Sequence, residues 1–218
     1  MPKFNIAIDG PSGVGKSTIA NLLADAYHMI HLDTGAMYRC VAYYLLKNKV
    51  DVNNEKELLD ALENIDISFQ EDQVFLNGEN VSKEIRMNEI SMAASKFSAF
   101  NAVRKKLVSL QQQIAKNKGY ILDGRDICSV VLPDAEVKIY MDASSKARAQ
   151  RRYQEYISKG IDADYETIFQ DIVARDYQDS HRKISPLQVA EDAQVIDTSD
   201  MTIEEVVEEI QKIIDEKV

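Results

Sequence analysis

The fold turns on the stretch Phe4-Asn5-Ile6-Ala7-Ile8-Asp9-Gly10-Pro11-Ser12-Gly13-Val14-Gly15-Lys16-Ser17-Thr18. A short apolar run ends at Asp9, and a loop of the form G-x-x-x-x-G-K-[ST] follows at once. Beyond it, Ile19, Leu22, Leu23 and Ala26 recur at helical spacing. Strand, loop and helix in that order are the setting in which this motif holds a polyphosphate. Glycines let backbone amides turn inward around the anion. Lys16 can reach the terminal phosphates, and Ser17 can ligate Mg²⁺. The helix N-terminus adds favourable potential. Asp9, next to the loop, is expected to orient it. The alternative is a glycine-rich turn before a helix with no ligand.

Working outward, four more short apolar runs end at or beside an aspartate: Met29–Asp33, Tyr120–Asp123, Val137–Asp142 and Gln194–Asp197. Helical stretches lie between most of them. With Phe4–Asp9 this predicts an α/β fold with a five-stranded parallel sheet flanked by helices on both faces. Ligands in such sheets sit at the C-terminal strand ends, where the aspartates lie. Residues 65–85 break the pattern. Ile65, Ile67 and Phe69 alternate, Glu71-Asp72 reads as a turn, and Asn77-Gly78 signals a hairpin between Val74–Leu76 and Glu79–Val81. This predicts a small antiparallel insert, which is a lid, a substrate-binding flap or decoration. The clearest helix is the last, with Ile203, Val206, Val207, Ile210, Ile213 and Ile214 on one face and Thr202 with Glu205 as a capping box.

The 218 residues carry a formal net charge of -10, with ordinary globular composition and no repeat or low-complexity segment. The acidic balance argues against polymeric nucleic acid as a partner. It hides a distribution, because residues 86–152 carry 13 basic against 6 acidic side chains. A small anionic ligand is compatible with that. Cys40 and Cys128 suggest neither a disulfide framework nor a zinc site. The first apolar run is too short for a signal-peptide core, and no segment is long and apolar enough to span a bilayer. A soluble cytoplasmic protein is expected. His28, His31 and His181 lack metal-ligand spacing, and His31 is expected to pack or be exposed. Met37, Met87 and Met92 read as core or flap packing.

A second anion site is suggested by arginines, whose forked donors suit phosphate and carboxylate. Asp33-Thr34-Gly35-Ala36-Met37-Tyr38-Arg39 follows the second strand, and Asp123-Gly124-Arg125-Asp126 follows the third. Arg175, Asp179 and Arg182 fall at i, i+4 and i+7, one face of a helix. Asp123 can hold Mg²⁺ through water, as the strand-end aspartate does in phosphate-loop enzymes. Two phosphate sites suit a kinase with an already phosphorylated acceptor. Asn48-Lys49-Val50-Asp51 fits a guanine-reading pattern but follows no buried strand, and D-x-x-G is absent. It reads as a helix end and turn.

These motifs, with S-P-L at 185–187 and E-D-A-x-V-I-D-T-S at 191–199, run in order from residue 6 to 199, and the chain resembles the bacterial cytidylate kinases. Cys128-Ser129 stands where that family usually has Gly-Thr, which leaves the charged residues intact and touches loop shape. The resemblance implies phosphoryl transfer from ATP to CMP, with dCMP also an acceptor, and a single phosphate-loop kinase unit. Its core would span about 1–64 and 96–218, its monophosphate-binding insert 65–95, and its lid about 153–165. It implies that Gly10, Pro11, Ser12, Gly13, Val14, Gly15, Lys16, Ser17 and Thr18 bind ATP, with Mg²⁺ on Ser17 and Asp123. It implies catalytic roles for Lys16, Arg125, Arg148 and Arg152, with Arg151 on the same helix leading into the lid. CMP would be bound by Thr34, Arg39, Ser95, Arg104, Arg125, Asp126, Arg175, Asp179 and Arg182. Ser95, Arg104 and Asp126 would read cytosine, Arg175 and Asp179 would lie near the sugar, and Arg39 and Arg125 at the acceptor phosphate. A monomer is expected. A kinase for another small acceptor and a non-enzymatic nucleotide-binding domain are the competing readings.

Overall fold

Asn5 shows where the first strand begins. Its backbone N–H donates to a Glu136 carboxylate oxygen (2.9 Å), while its side chain joins the Ala115 carbonyl and the Tyr120 N–H. The strand therefore starts at Ile6, not at Phe4. The computed structural model describes residues 2–70 and 73–218, so the turn expected at Glu71-Asp72 lies outside the described residues. The elements, in order, are β1 (Ile6–Asp9), α1 (Lys16–Tyr27), β2 (Ile30–Asp33), α2 (Thr34–Lys47), α3 (Glu55–Glu63), β3 (Ile67–Gln70), β4 (Gln73–Leu76), β5 (Glu79–Asn80), α4 (Asn88–Phe97), α5 (Asn101–Ala115), β6 (Tyr120–Gly124), β7 (Val137–Asp142), α6 (Ser145–Ser158), α7 (Tyr165–His181), β8 (Gln194–Asp197) and α8 (Ile203–Lys217).

The chain divides into two compact units, Met1–Leu32 with Ile114–Val218, and Asp33–Gln113. The first holds a parallel five-stranded sheet in the order β2-β6-β1-β7-β8. β1 is central, with Asp9 opposite Gly124 of β6 and Tyr140 of β7. The chain thus leaves β1 between two neighbouring strand ends, the crevice where such sheets bind ligands. Ile6, Ile8, Ile121, Val137 and Ile139 are fully buried and pack with Ile19 and Leu23 of α1 and Ile210 and Ile214 of α8. α8 has its capping box: Thr202 Oγ accepts from Glu205 N–H, and the Glu205 carboxylate accepts from Thr202 N–H. Ile203, expected on the buried face, is exposed, since it sits in the first turn beyond the core. A smaller core joins α6 and α7 through Ala149, Ile168 and Ile172, with Tyr153, Tyr165 and Phe169 packed around it. Residues 159–164, within the expected lid, form the connection between those helices.

In the second unit α2 packs on α4. Met37, Cys40, Val41 and Leu45 of α2 and Ile90, Ala94 and Phe97 of α4 are buried. β3, β4 and β5 form the antiparallel sheet. Its second turn is Asn77-Gly78 with φ of 50° and 81°, the left-handed pair that a two-residue hairpin needs. Asn48 closes α2 through its amide on the Tyr44 carbonyl, and Lys49 has φ of 53°. The guanine-like pattern is thus a helix end. Met37 is buried but Met87 is exposed, because it stands at the N-terminal boundary of α4.

Candidate active site

The phosphate loop is shaped by close approach. A Cβ at Gly10 would lie 2.1 Å from the Met141 carbonyl oxygen, so the loop leaves β1 pressed against β7 in a way no other residue permits. Lys16 is buried and its Nζ donates to the Gly10 and Pro11 carbonyls, both at 2.8 Å. Burial lowers its pKa well below the usual lysine value, helped by the nearby Arg125 and Arg175 and opposed by Asp123 and Asp9. Three cations therefore converge on the loop, a setting poor for an empty core and good for an anion.

Ser17 Oγ donates to Asp123 Oδ2 at 2.9 Å. The Ser17 hydroxyl at the start of α1 and the Asp123 carboxylate at the end of β6 are hard oxygen donors side by side, and they would hold a Mg²⁺ ion that offsets phosphate charge. The residues present fit that ion. Asp123 Oδ1 meets His31 Nε2 at 2.7 Å, and His31 Nδ1 meets the Asn21 side chain at 2.7 Å. His31 is packed, as expected, and half-buried, with both ring nitrogens engaged by side chains that the sequence alone did not pair with it. The alternation of β2 sends His31 and Asp33 to one side and buried Leu32 to the other, the one local sign that His31 had a polar task.

Asp9 corrects an expectation. It does not hold the phosphate loop. Its two carboxylate oxygens accept from the Ile127 and Cys128 N–H groups, each at 2.8 Å. The parallel pairing of β1 with β6 carries it to the loop after β6 instead. That loop makes one wide turn, with Val131 N–H to the Asp126 carbonyl and Leu132 N–H to the Ile127 carbonyl. Such i→i+5 turns often accompany functional sites. Cys128 is buried at its centre, its Sγ lying against the Ala7 and Ile139 carbonyls.

The arginines of the first unit are each engaged. Arg125 Nε donates to Asp179 (2.8 Å); burial pulls the Arg125 pKa down, but the Asp179 pair outweighs it and the net is upward. Arg182 lies just past the end of α7, not on its face, and its guanidinium is 3.6 Å from Asp126, both side chains about 5% exposed. Arg148 reaches the Ser12 and Ala143 carbonyls at 2.9 Å, Ser145 Oγ at 3.0 Å and Asp176 at 2.6 Å, so it braces the phosphate loop from below. Arg152 donates to Ser12 Oγ at 3.3 Å. Arg151 points elsewhere, to Thr198 Oγ1 and to the Thr198 and Ser199 carbonyls. A cavity of about 430 Å³ opens beside the phosphate loop, lined by Thr18, Arg151, Thr198, Met201, Ile203 and Val206. Its mixture of apolar walls and polar edges suits a planar base.

In the second unit Asp33 does two jobs. One oxygen caps α2 by accepting from Ala36 N–H (2.8 Å), and the other pairs with Arg39 (2.7 Å). Gly35 lies close to both, since a Cβ there would sit 3.0 Å from the Arg39 guanidinium and 3.1 Å from the Asp33 carboxylate, and those side chains would have to shift by a few tenths of an ångström. Arg39 Nε is buried and finds no hydrogen-bond partner among the described residues, an N–H available to an anion. Thr34, Ser95 and Arg104 are buried, with the Arg104 guanidinium 5.8 Å from the Tyr38 ring centre.

A sequence model of the family described as cytidylate kinase matches residues 6–216. The chain belongs to the cytidylate kinase family. It is 49% identical to a cytidylate kinase of Thermosipho melanesiensis over 97% of each chain. It is likewise 49% identical to a cytidylate kinase of Streptococcus pneumoniae over 97% of each. Among solved structures it resembles a shikimate kinase from Bacteroides thetaiotaomicron, with TM-score 0.51 and 11% identity over 97% of this chain and 98% of that one. At that identity the likeness concerns the fold alone, a phosphate-loop kinase fold shared with this family. Membership accounts for the loop at 10–18 and for the order of motifs, while the contacts of His31 and Asp9 come from the structure. No helix among the described residues is long and apolar enough to cross a membrane.

Proposed function

We propose that the protein transfers the γ-phosphoryl group of ATP to CMP, and to dCMP, giving ADP with CDP or dCDP. The observation that supports this most is the group of half-buried arginines, with Arg125 and Arg175 near Lys16, Arg125 paired with Asp179, and Arg182 against Asp126. A domain that only binds a nucleotide has no use for a second polar cluster of that cost. ATP phosphates would lie in the Gly10–Thr18 loop under Lys16, with the adenine in the cavity by Arg151 and Thr198. Mg²⁺, held at Ser17 and Asp123, would offset charge on the transferring phosphates.

The acceptor needs no strong base, because the attacking oxygen belongs to the CMP phosphate and is already anionic. That oxygen forms a bond to the γ-phosphorus while the bond to the ADP oxygen breaks, so catalysis is positioning and charge neutralisation. Lys16, Arg148 and Arg152 are assigned to the charge developing on the donor side, and Arg39 and Arg125 to the acceptor phosphate. Arg175 and Asp179 are assigned to the sugar. Ser95, Arg104 and Asp126 are assigned to the cytosine edge, which offers an amino donor beside a ring nitrogen and carbonyl acceptor. Uracil reverses part of that pattern and would leave buried groups unpaired. Thr34 lies beside the nucleotide and Arg182 steadies Asp126. Residues 65–95 would serve as the monophosphate-binding insert and 153–165 as the lid, in a cytoplasmic monomer without nucleic-acid partners. ADP release measured with CMP, dCMP, UMP, AMP and dTMP tests the reading. Turnover led by CMP and dCMP is expected; ATP binding with no acceptor-dependent turnover refutes it.

A further inference from the structure

We propose that His31 is a positioning residue for the cation side of the donor site. The proposal rests on the reading that Ser17 and Asp123 flank Mg²⁺. Four side chains form a chain of three contacts whose two ends are joined through α1. Ser17 Oγ donates to Asp123 Oδ2 (2.9 Å), Asp123 Oδ1 meets His31 Nε2 (2.7 Å), and His31 Nδ1 meets Asn21 (2.7 Å). Ser17 and Asn21 are one turn apart on α1, so the chain of contacts starts and ends on the same helix. The His31 and Asp123 side chains are 10% and 6% exposed, leaving little water to substitute for the bond between them, while the Asn21 end of the chain of contacts is exposed.

This geometry divides the work of one carboxylate. A strand-end aspartate can rotate and present either oxygen. With Oδ1 occupied by the imidazole, Oδ2 is left facing the Ser17 hydroxyl, where the ion would be held. Asn21 in turn stops the imidazole from turning away. A metal site is set as much by what orients its ligands as by the ligands, and loss of such a partner typically weakens it about ten- to a hundredfold.

The test uses the full chain and calorimetric ATP binding with and without Mg²⁺. His31→Phe keeps a planar ring but cannot donate; His31→Gln keeps a donor that can reach Asp123. His31→Phe is expected to shrink the Mg²⁺-dependent gain in ATP affinity about tenfold or more, and to leave metal-free ATP binding unchanged. His31→Gln should recover most of that gain, and Asn21→Ala should lose a smaller part of it. In turnover assays the Mg²⁺ concentration needed for half-maximal rate should rise in the same order. An undiminished Mg²⁺ gain in His31→Phe overturns the proposal, as does equal weakening with and without the ion. If His31→Phe does not fold, an unchanged gain in Asn21→Ala together with wild-type behaviour lost in His31→Gln overturns it. Asp123→Asn separates the two layers. If it leaves the Mg²⁺ gain intact, the cation reading itself fails; if it abolishes the gain while the His31 variants do not move it, only the role of His31 fails.

Discussion

Replacing Asp9 by asparagine should leave the protein nearly as stable near neutral pH while weakening its hold on CMP. Burial raises the Asp9 carboxyl from 3.8 to about 6, with the Ile127 and Cys128 N–H bonds acting against burial and Asp126 acting with it. A difference of about two units corresponds to roughly 3 kcal/mol. The native protein binds this proton more tightly than the unfolded chain does. Asp9 therefore favours the fold at low pH, loses that advantage as pH rises from about 4 to about 6, and costs about 3 kcal/mol above that. Asparagine removes this cost but brings one acceptor oxygen for two N–H groups, and its own amide faces the second. One buried N–H left unpaired costs about 1–3 kcal/mol. The two effects nearly cancel. Urea unfolding of both proteins at pH 7.5 and 4.5 measures the balance. The wild type should gain about 2 kcal/mol on the variant as pH falls from 7.5 to 4.5, and at pH 7.5 they should agree within about 2 kcal/mol. The loop that presents Asp126 loses half its anchor, so KM for CMP should rise with little change in ATP binding. A stability difference independent of pH would refute the reasoning.

Lys16→Met should abolish phosphoryl transfer while circular dichroism and melting show a folded protein, since the buried amine is replaced by an apolar chain of similar length. Asp126→Ala should erode the kcat/KM ratio of CMP over UMP more than it changes ATP affinity; an unchanged ratio would remove Asp126 as a reader of the base. Gly10→Ala must separate β1 from β7 by roughly an ångström to relieve the 2.1 Å approach to Met141, and should cost about 3 kcal/mol or more in urea unfolding.

The five sheet strands were legible because each is an apolar run stopped by a charged residue, and the hairpin because Asn77-Gly78 accepts left-handed backbone at both positions. The loop at 10–18 was legible for the same kind of reason: its glycines and lysine sit within a few residues of the group they serve. What could not be read was which distant element each polar side chain meets. Asp9 finds its partners 118 and 119 residues away, and His31 finds Asp123 92 residues away. Those meetings depend on β6 lying between β2 and β1, and strand order is not written in local pattern. Adjacency in sequence suggested that Asp9 serves the next loop; adjacency in the sheet sends it across to the loop after β6.

The net charge of -10 bears on the same site in a way that composition hides. Part of the acidic excess lies on α8 and the residues just before it, since residues 200–218 carry 7 acidic and 2 basic side chains and none of those acids lines the cavity beside the phosphate loop. Other acids are partners. Arg39 is held by Asp33, Arg125 by Asp179, Arg148 by Asp176 and Arg182 by Asp126. Without these carboxylates, Lys16, Arg125 and Arg175 would repel one another around the loop and the long arginine side chains would be free to swing away. Each pairing gives up some affinity for an incoming phosphate in exchange for a fixed guanidinium, and a fixed group does not lose its freedom again on binding. Removing an acid at one of these pairs should thus act in the opposite sense to its charge. Asp179→Asn makes the site more positive, yet it should weaken CMP binding, because Arg125 is no longer aimed. A rise in CMP affinity in that variant would mean that charge, not orientation, limits the site.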